Sequence, residues 1–206
     1  MPSDLAPRLV QRFASSEGYN TEPHLAASLR SLKQAKSRHY SEIVTGVITN
    51  SDDRVPDILS SFGLFVSPLR YGKGSDKAAV ASGHDIDFHC MSYDVGVEKP
   101  DQLIFRAAES MLESVLAAQG KDMKSHGSSA SNAEAWLKIY VGDEYAKDIE
   151  GAVNAGWKAI LLDHGGSSHQ IPEVEANFDL TVSEALDKNS AMRVKSISSL
   201  VSWLAS

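Results

Sequence analysis

The chain has 206 residues, 42% hydrophobic and 23% charged, with a net charge of −7 at pH 7. That length suits one large domain, or a domain with a small appendage, and the composition is that of a globular protein with a real core. The acidic balance leaves no basic stripe for a nucleic-acid partner, and the longest apolar runs, such as Gly63-Leu64-Phe65-Val66, are too short to span a bilayer.

Asp4, Arg8, Gln11 and Arg12 interrupt any apolar stretch of the signal-peptide kind at the N-terminus. A single cysteine, Cys90, excludes an internal disulfide and fits a reducing compartment, so a cytosolic or nuclear location is expected.

In chain order, Leu5, Leu9, Val10 and Phe13 recur at helical spacing, and Leu25, Ala26, Leu29 and Leu32 do so again. From Ile43 the pattern changes to a β-branched run, Ile43–Ile48, of the kind that forms a strand buried on both faces. Thr49-Asn50-Ser51-Asp52-Asp53 suits a turn, and a helix through Ile58, Leu59 and Phe62 stops at Gly63. Phe88–Ser92 reads as a strand, and Pro100 opens a helix carrying Ile104, Ala108, Met111, Leu112 and Val115. Leu137–Val141 is a strand, followed by a helix with Ile149, Ala152 and Val153 that Gly156 closes. Lys158–Leu162 is the last clear strand, and Ile197–Leu204 a terminal helix. Strands alternating with helices imply βαβ units and a parallel sheet. The polar stretches at 70–84 and 119–134 are expected to be mobile surface insertions.

Ligands of an open parallel sheet bind at the carboxyl ends of its strands. Thr49-Asn50 offers a hydroxyl and a backbone N–H to a phosphate oxygen, although a capping turn has the same composition. Lys99, fixed before Pro100, can neutralise an anion at the sheet edge, or lie in a solvated loop. Gly142 turns the chain off the third strand, so that Asp143 can project as a hard oxygen ligand for Mg²⁺. Asp148 can orient the water of Asp143, hold Lys99, or only favour a helix dipole.

The order of these pieces carries more than each alone. Thr49-Asn50 after one strand, Lys99-Pro100 after the next and Gly142-Asp143 through Asp148 after the third resemble motifs II, III and IV of the haloacid dehalogenase-like (HAD) hydrolase superfamily. The text around them, including Tyr93 to Asp101 and Ala155-Gly156-Trp157, is most similar to its branch of domain-containing protein 3. The resemblance implies a Rossmann-like parallel sheet with a helical cap, and Mg²⁺-dependent hydrolysis of a small phosphorylated metabolite through an aspartyl nucleophile. It implies that Thr49 and Asn50 bind the phosphoryl group, that Lys99 and Thr49 act in catalysis, and that Asp143 and Asp148 serve the metal. Residues 1–38 would be a remnant of the cap and residues 39–206 the core.

One part of the pattern is missing. The family's Asp-x-Asp motif I, which supplies the nucleophile, should precede the cap helices, where only Met1-Pro2-Ser3-Asp4 stands. Asp85-Ile86-Asp87 follows motif II instead of preceding it and does not take that place. The expectation is therefore a truncated, inactive hydrolase with an incomplete Mg²⁺ site. The alternative is a phosphate-binding pseudoenzyme with a regulatory role. Without the motif I strand, Ile43–Ile48 and Leu137–Val141 must either keep unpaired edges or pair with each other.

Overall fold

The computed structural model of the protein describes residues 4–34, 40–74, 80, 83–121, 136–174 and 180–205. Two helices, α1 (Leu5–Phe13) and α2 (Leu25–Gln34), lead into β1 (Gly46–Thr49). α3 (Val55–Ser61) follows β1 with Pro56 in its first turn, where a missing N–H costs little. β2 (Phe88–Met91) runs straight into a single-turn helix, α4 (Ser92–Val95), which Gly96 ends at φ 82°. α5 (Gln102–Ala118) then crosses to β3 (Ile139–Gly142). A π-helical turn, Tyr145–Ile149, opens α6 (Glu150–Asn154), followed by β4 (Lys158–Leu162), α7 (Val182–Lys188), β5 (Ala191–Val194) and α8 (Ile197–Leu204).

All the strand pairs are parallel, as helical crossovers require. They fall into two sheets. β1 pairs with β2, Gly46 opposite Phe88 and Thr49 opposite Met91. β4 lies between β3 and β5 in the second sheet. Among the described residues, neither β1 nor β3 has a strand on its other side, so of the two expected outcomes the unpaired edges are what the chain adopts.

The sheets are joined by packing. One apolar cluster takes Ile48, Phe88 and Cys90 from the first sheet and Tyr140, Ala159 and Leu161 from the second, under Ile104, Phe105, Ala108, Met111 and Val115 of α5. The opposite face of the second sheet packs Ile160, Met192 and Val194 against Leu186, Leu200 and Trp203, and β1 and β2 contribute nothing to it. Alternation along β4, with Ala159 and Leu161 on one cluster and Ile160 on the other, is the period of two expected of a strand covered on both faces.

Several expectations need correction. The strand foreseen over Ile43–Ile48 is confined to Gly46–Thr49, and only Ile48 of it is buried, because one edge of β1 is unpaired. The helix foreseen from Pro100 begins at Gln102, where the Asp101 side chain accepts the Leu103 N–H as its cap. β5 and α7 are additions. β5 is short with Arg193 in its middle, whereas α7 carries a legible capping box of Thr181 and Glu184.

α1 has no buried residue and exposes Leu9, Val10 and Phe13. α2, expected within the cap remnant, is anchored to the segment just ahead of β2. Its Leu32 is buried, Arg30 pairs with Asp85 at 3.0 Å, and Lys33 pairs with Asp87 at 2.5 Å just ahead of β2. Of the expected insertions, residues 75–79, 81–82 and 122–134 lie outside the described residues. Arg70 is no part of a loose loop: it bridges to His89 and makes a bidentate pair with Asp94 at 2.6 and 2.7 Å.

Candidate active site

β1 and β3 end at the same place, and the polar residues that follow them meet there. The Lys99 side chain, only 11% exposed, points between the two sheets. Its Nζ donates to Asp148 Oδ1 and to the Tyr140 hydroxyl, both at 2.6 Å. Tyr140 Oη in turn lies 3.0 Å from the Ile48 carbonyl, to which it donates, tying β3 to β1 across their unpaired edges.

The backbone of Lys99 is held as firmly. Asn50 Nδ2 donates to the Lys99 carbonyl at 3.1 Å, and the Lys99 N–H donates to Asn50 Oδ1 at 2.7 Å. A carboxamide pairing with one residue's N–H and C=O copies a strand contact and fixes the loop's register. The Asn50 side chain is therefore spent on Lys99, whereas the group expected at the phosphate is the backbone N–H. Thr49 sits at the carboxyl end of β1, and its hydroxyl makes no hydrogen bond to a described residue.

Asp148 is 3% exposed and fully engaged. Oδ1 faces Lys99 and Tyr140, and Oδ2 accepts the Glu144 N–H at 3.0 Å. Gly142 makes room for it, since a Cβ there would overlap the Asp148 carboxylate. The π-helical turn delivers Asp148 to this position from the end of β3. Of the roles open to Asp148 in the sequence, holding Lys99 is the one the geometry shows.

Asp143 is exposed, with no hydrogen bond or ion pair to a described residue. It offers one carboxylate, and no group of three His, Cys, Asp or Glu side chains among the described residues could hold a metal. Mg²⁺ is commonly held by one or two carboxylates with the remaining positions filled by water and substrate phosphate. The described donors alone do not make a resident site.

Tyr140 is the member that sequence reasoning missed. Alternation marks it as an inward-facing strand residue, and nothing in the local pattern reveals its hydroxyl's partners. Burial pushes its phenol pKa well above the ordinary value, the neighbouring Asp148 charge adds to this, and the hydroxyl stays neutral. Asp85-Ile86-Asp87 lies at the opposite end of the first sheet, paired with Arg30 and Lys33.

Arranged this way, the site presents an ammonium with two of its three protons committed, a free threonine hydroxyl and a lone carboxylate. Such a set can neutralise and orient a phosphoryl group. It shows no nucleophile–base pair.

The HAD-hydrolase-like family model matches residues 96–187. An uncharacterised protein of Saccharomyces cerevisiae is 28% identical over 197 residues, covering 92% of this chain and 55% of its own length. A Schizosaccharomyces pombe protein named as an uncharacterised hydrolase is 26% identical over 163 residues, covering 79% of this chain and 56% of its own. The chain thus spans about half the length of the curated relatives it matches. The crystal structure of a HAD phosphatase from Thermococcus onnurineus superposes with a TM-score of 0.52 at 16% identity, covering 95% of this chain and 62% of that one, which shows a shared fold.

Proposed function

We propose that this chain, whose residues 96–187 match the HAD-hydrolase-like family model and whose fold is shared with a HAD phosphatase, carries the phosphate-holding part of a phosphomonoester hydrolase site. The observation that carries this reading is the Lys99 ammonium, fixed at 2.6 Å from both Asp148 and Tyr140 at the carboxyl ends of β1 and β3. Two partners anchor the cation, and its third proton is left for a phosphate oxygen. Thr49 adds a neutral donor, and Asn50 holds the loop that brings Lys99 there. Asp143 would give one oxygen to Mg²⁺ shared with the substrate.

In-line displacement on phosphorus needs a nucleophile facing the leaving group. Among the described residues the carboxylate held against Lys99 is Asp148, while Asp143, Asp53 and Glu98 near this edge are exposed with no hydrogen bond or ion pair to orient them. The chain by itself is therefore read as binding phosphate without turning it over, and hydrolysis by the whole protein requires a carboxylate from outside these residues. The substrate class in this reading is a small phosphorylated metabolite.

Titration with inorganic phosphate tests the reading. The expected result is saturable binding that Lys99→Met abolishes, with no release of nitrophenol from an aryl phosphate in the presence of Mg²⁺. Binding that survives Lys99→Met would overturn the role of Lys99. Turnover lost on Asp143→Asn would overturn the claim that the nucleophile lies elsewhere.

A further inference from the structure

An ammonium held by one carboxylate still turns to and fro about its Cε–Nζ bond, because one hydrogen bond to a broad acceptor is a soft restraint. A second fixed acceptor stops that rotation and leaves the third N–H with one direction. Tyr140 Oη is such an acceptor, at 2.6 Å from Lys99 Nζ. It is fixed in turn from two sides. Its own proton goes to the Ile48 carbonyl at 3.0 Å, while Asp148 Oδ1 lies farther off at 3.3 Å. Its ring is buried edge-on against Phe105, the centroids 5.4 Å apart and the planes at 79°.

We propose that Tyr140 is a positioning residue for Lys99: its hydroxyl, oriented by the Ile48 carbonyl, locks the ammonium so that one N–H faces the anion. The proposal rests on Lys99 being the phosphate-facing cation and assigns how that cation is aimed. It also gives the two unpaired strand edges a shared task. β1 supplies the orienting carbonyl and β3 the phenol, so the relative position of the sheets sets the direction of the Lys99 proton. A merely structural role, the packing of the ring and the tie of the hydroxyl to Ile48, would loosen the fold generally when lost and not Lys99 in particular.

The test is Tyr140→Phe, which keeps the ring and removes the hydroxyl. Two readouts are needed: the rate of reductive methylation of each lysine by formaldehyde and borohydride, followed by mass spectrometry, and the affinity for inorganic phosphate. Lys158, whose Nζ donates to the Leu186 carbonyl at 2.5 Å in the other half of the fold, is the internal control. The expected result is several-fold faster methylation at Lys99, an unchanged rate at Lys158 and about tenfold weaker phosphate binding, as for loss of one hydrogen bond to a charged group.

Unchanged Lys99 reactivity in a folded variant overturns the proposal. So does a uniform rise at Lys99 and Lys158, which would mark general loosening. If the wild-type chain fails to bind phosphate, the proposed function falls, and the Lys99-to-Lys158 reactivity ratio still decides the role of Tyr140. Should Tyr140→Phe not fold, the wild-type rates decide instead: Lys99 is expected to methylate several-fold more slowly than the exposed Lys147, and equal rates overturn the lock.

Discussion

Single residues carry the tightest constraints in this molecule. Gly142 lies against the Asp148 carboxylate with no space for a side chain. Gly142→Ala is expected to push Asp148 off Lys99, lowering stability by about 1–3 kcal/mol in urea melts and weakening phosphate binding with it. His89 is subtler. It is 1% exposed, neither ring nitrogen has a hydrogen-bond partner, and burial lowers its pKa to about 4. Above pH 6.5 the imidazole is neutral both folded and unfolded. Between pH 6.5 and 4 the unfolded chain gains a proton that the folded one refuses, so stability falls as the pH falls. The loss is about 2 kcal/mol by pH 5. Urea melts at pH 7 and pH 5 should show that difference, and His89→Leu should reduce it. The motif residues Thr49, Lys99 and Asp143 were legible because their types and order are local properties of the chain. The engagement of Asn50 was not, and holding Lys99 was only one of three roles open to Asp148, since both depend on partners 49 residues away in the sequence.

At the scale of elements, strand stability should follow strand neighbours. β4 has a strand on both sides, whereas β1 and β3 each have one. Backbone amides of β4 are expected to exchange with deuterium more slowly than those of β1, in a native-state experiment resolved by segment. Equal protection of β1 and β4 would mean that the edge of β1 is covered. α7 offers a local test. Its Thr181 hydroxyl accepts the Glu184 N–H, and the Glu184 carboxylate accepts the Thr181 N–H at 3.0 Å. Thr181→Ala should cost about 1 kcal/mol of stability and leave the site intact. Elements with strong periodicity, such as α5 and β4, were readable from sequence because one residue type repeats on one face. β1 was read too long, since its length is set by pairing and only Gly46–Thr49 find partners in β2.

Among the described residues two sheets are held together on one face. α5 spans both through Ile104, Phe105 and Met111, and the Tyr140 hydroxyl adds a polar tie, while the second apolar cluster joins the second sheet to α7 and α8 without β1 or β2. Loss of the shared packing should therefore separate the halves. Phe105→Ala is expected to cost about 3–5 kcal/mol and to break the cooperativity of unfolding. Cys90, fully buried in β2 with its thiol pushed up to about 12, is the natural reporter for the first sheet. In the variant it should become reactive to thiol reagents at lower urea than is needed to release the α8 amides to exchange, and coincident transitions would refute the picture. The sequence by itself determined the α/β class and the parallel order of the main strands, because periodicity is written in neighbouring residues, and it singled out Thr49, Lys99 and Asp143 only as candidates that follow strands. Only the tertiary structure decided that β1 and β3 keep open edges, that α2 is anchored ahead of β2 through Arg30 and Lys33, and that Tyr140, Asn50 and Asp148 all converge on Lys99. Those outcomes depend on which distant donor meets which acceptor once water has been excluded, and no local pattern encodes that choice.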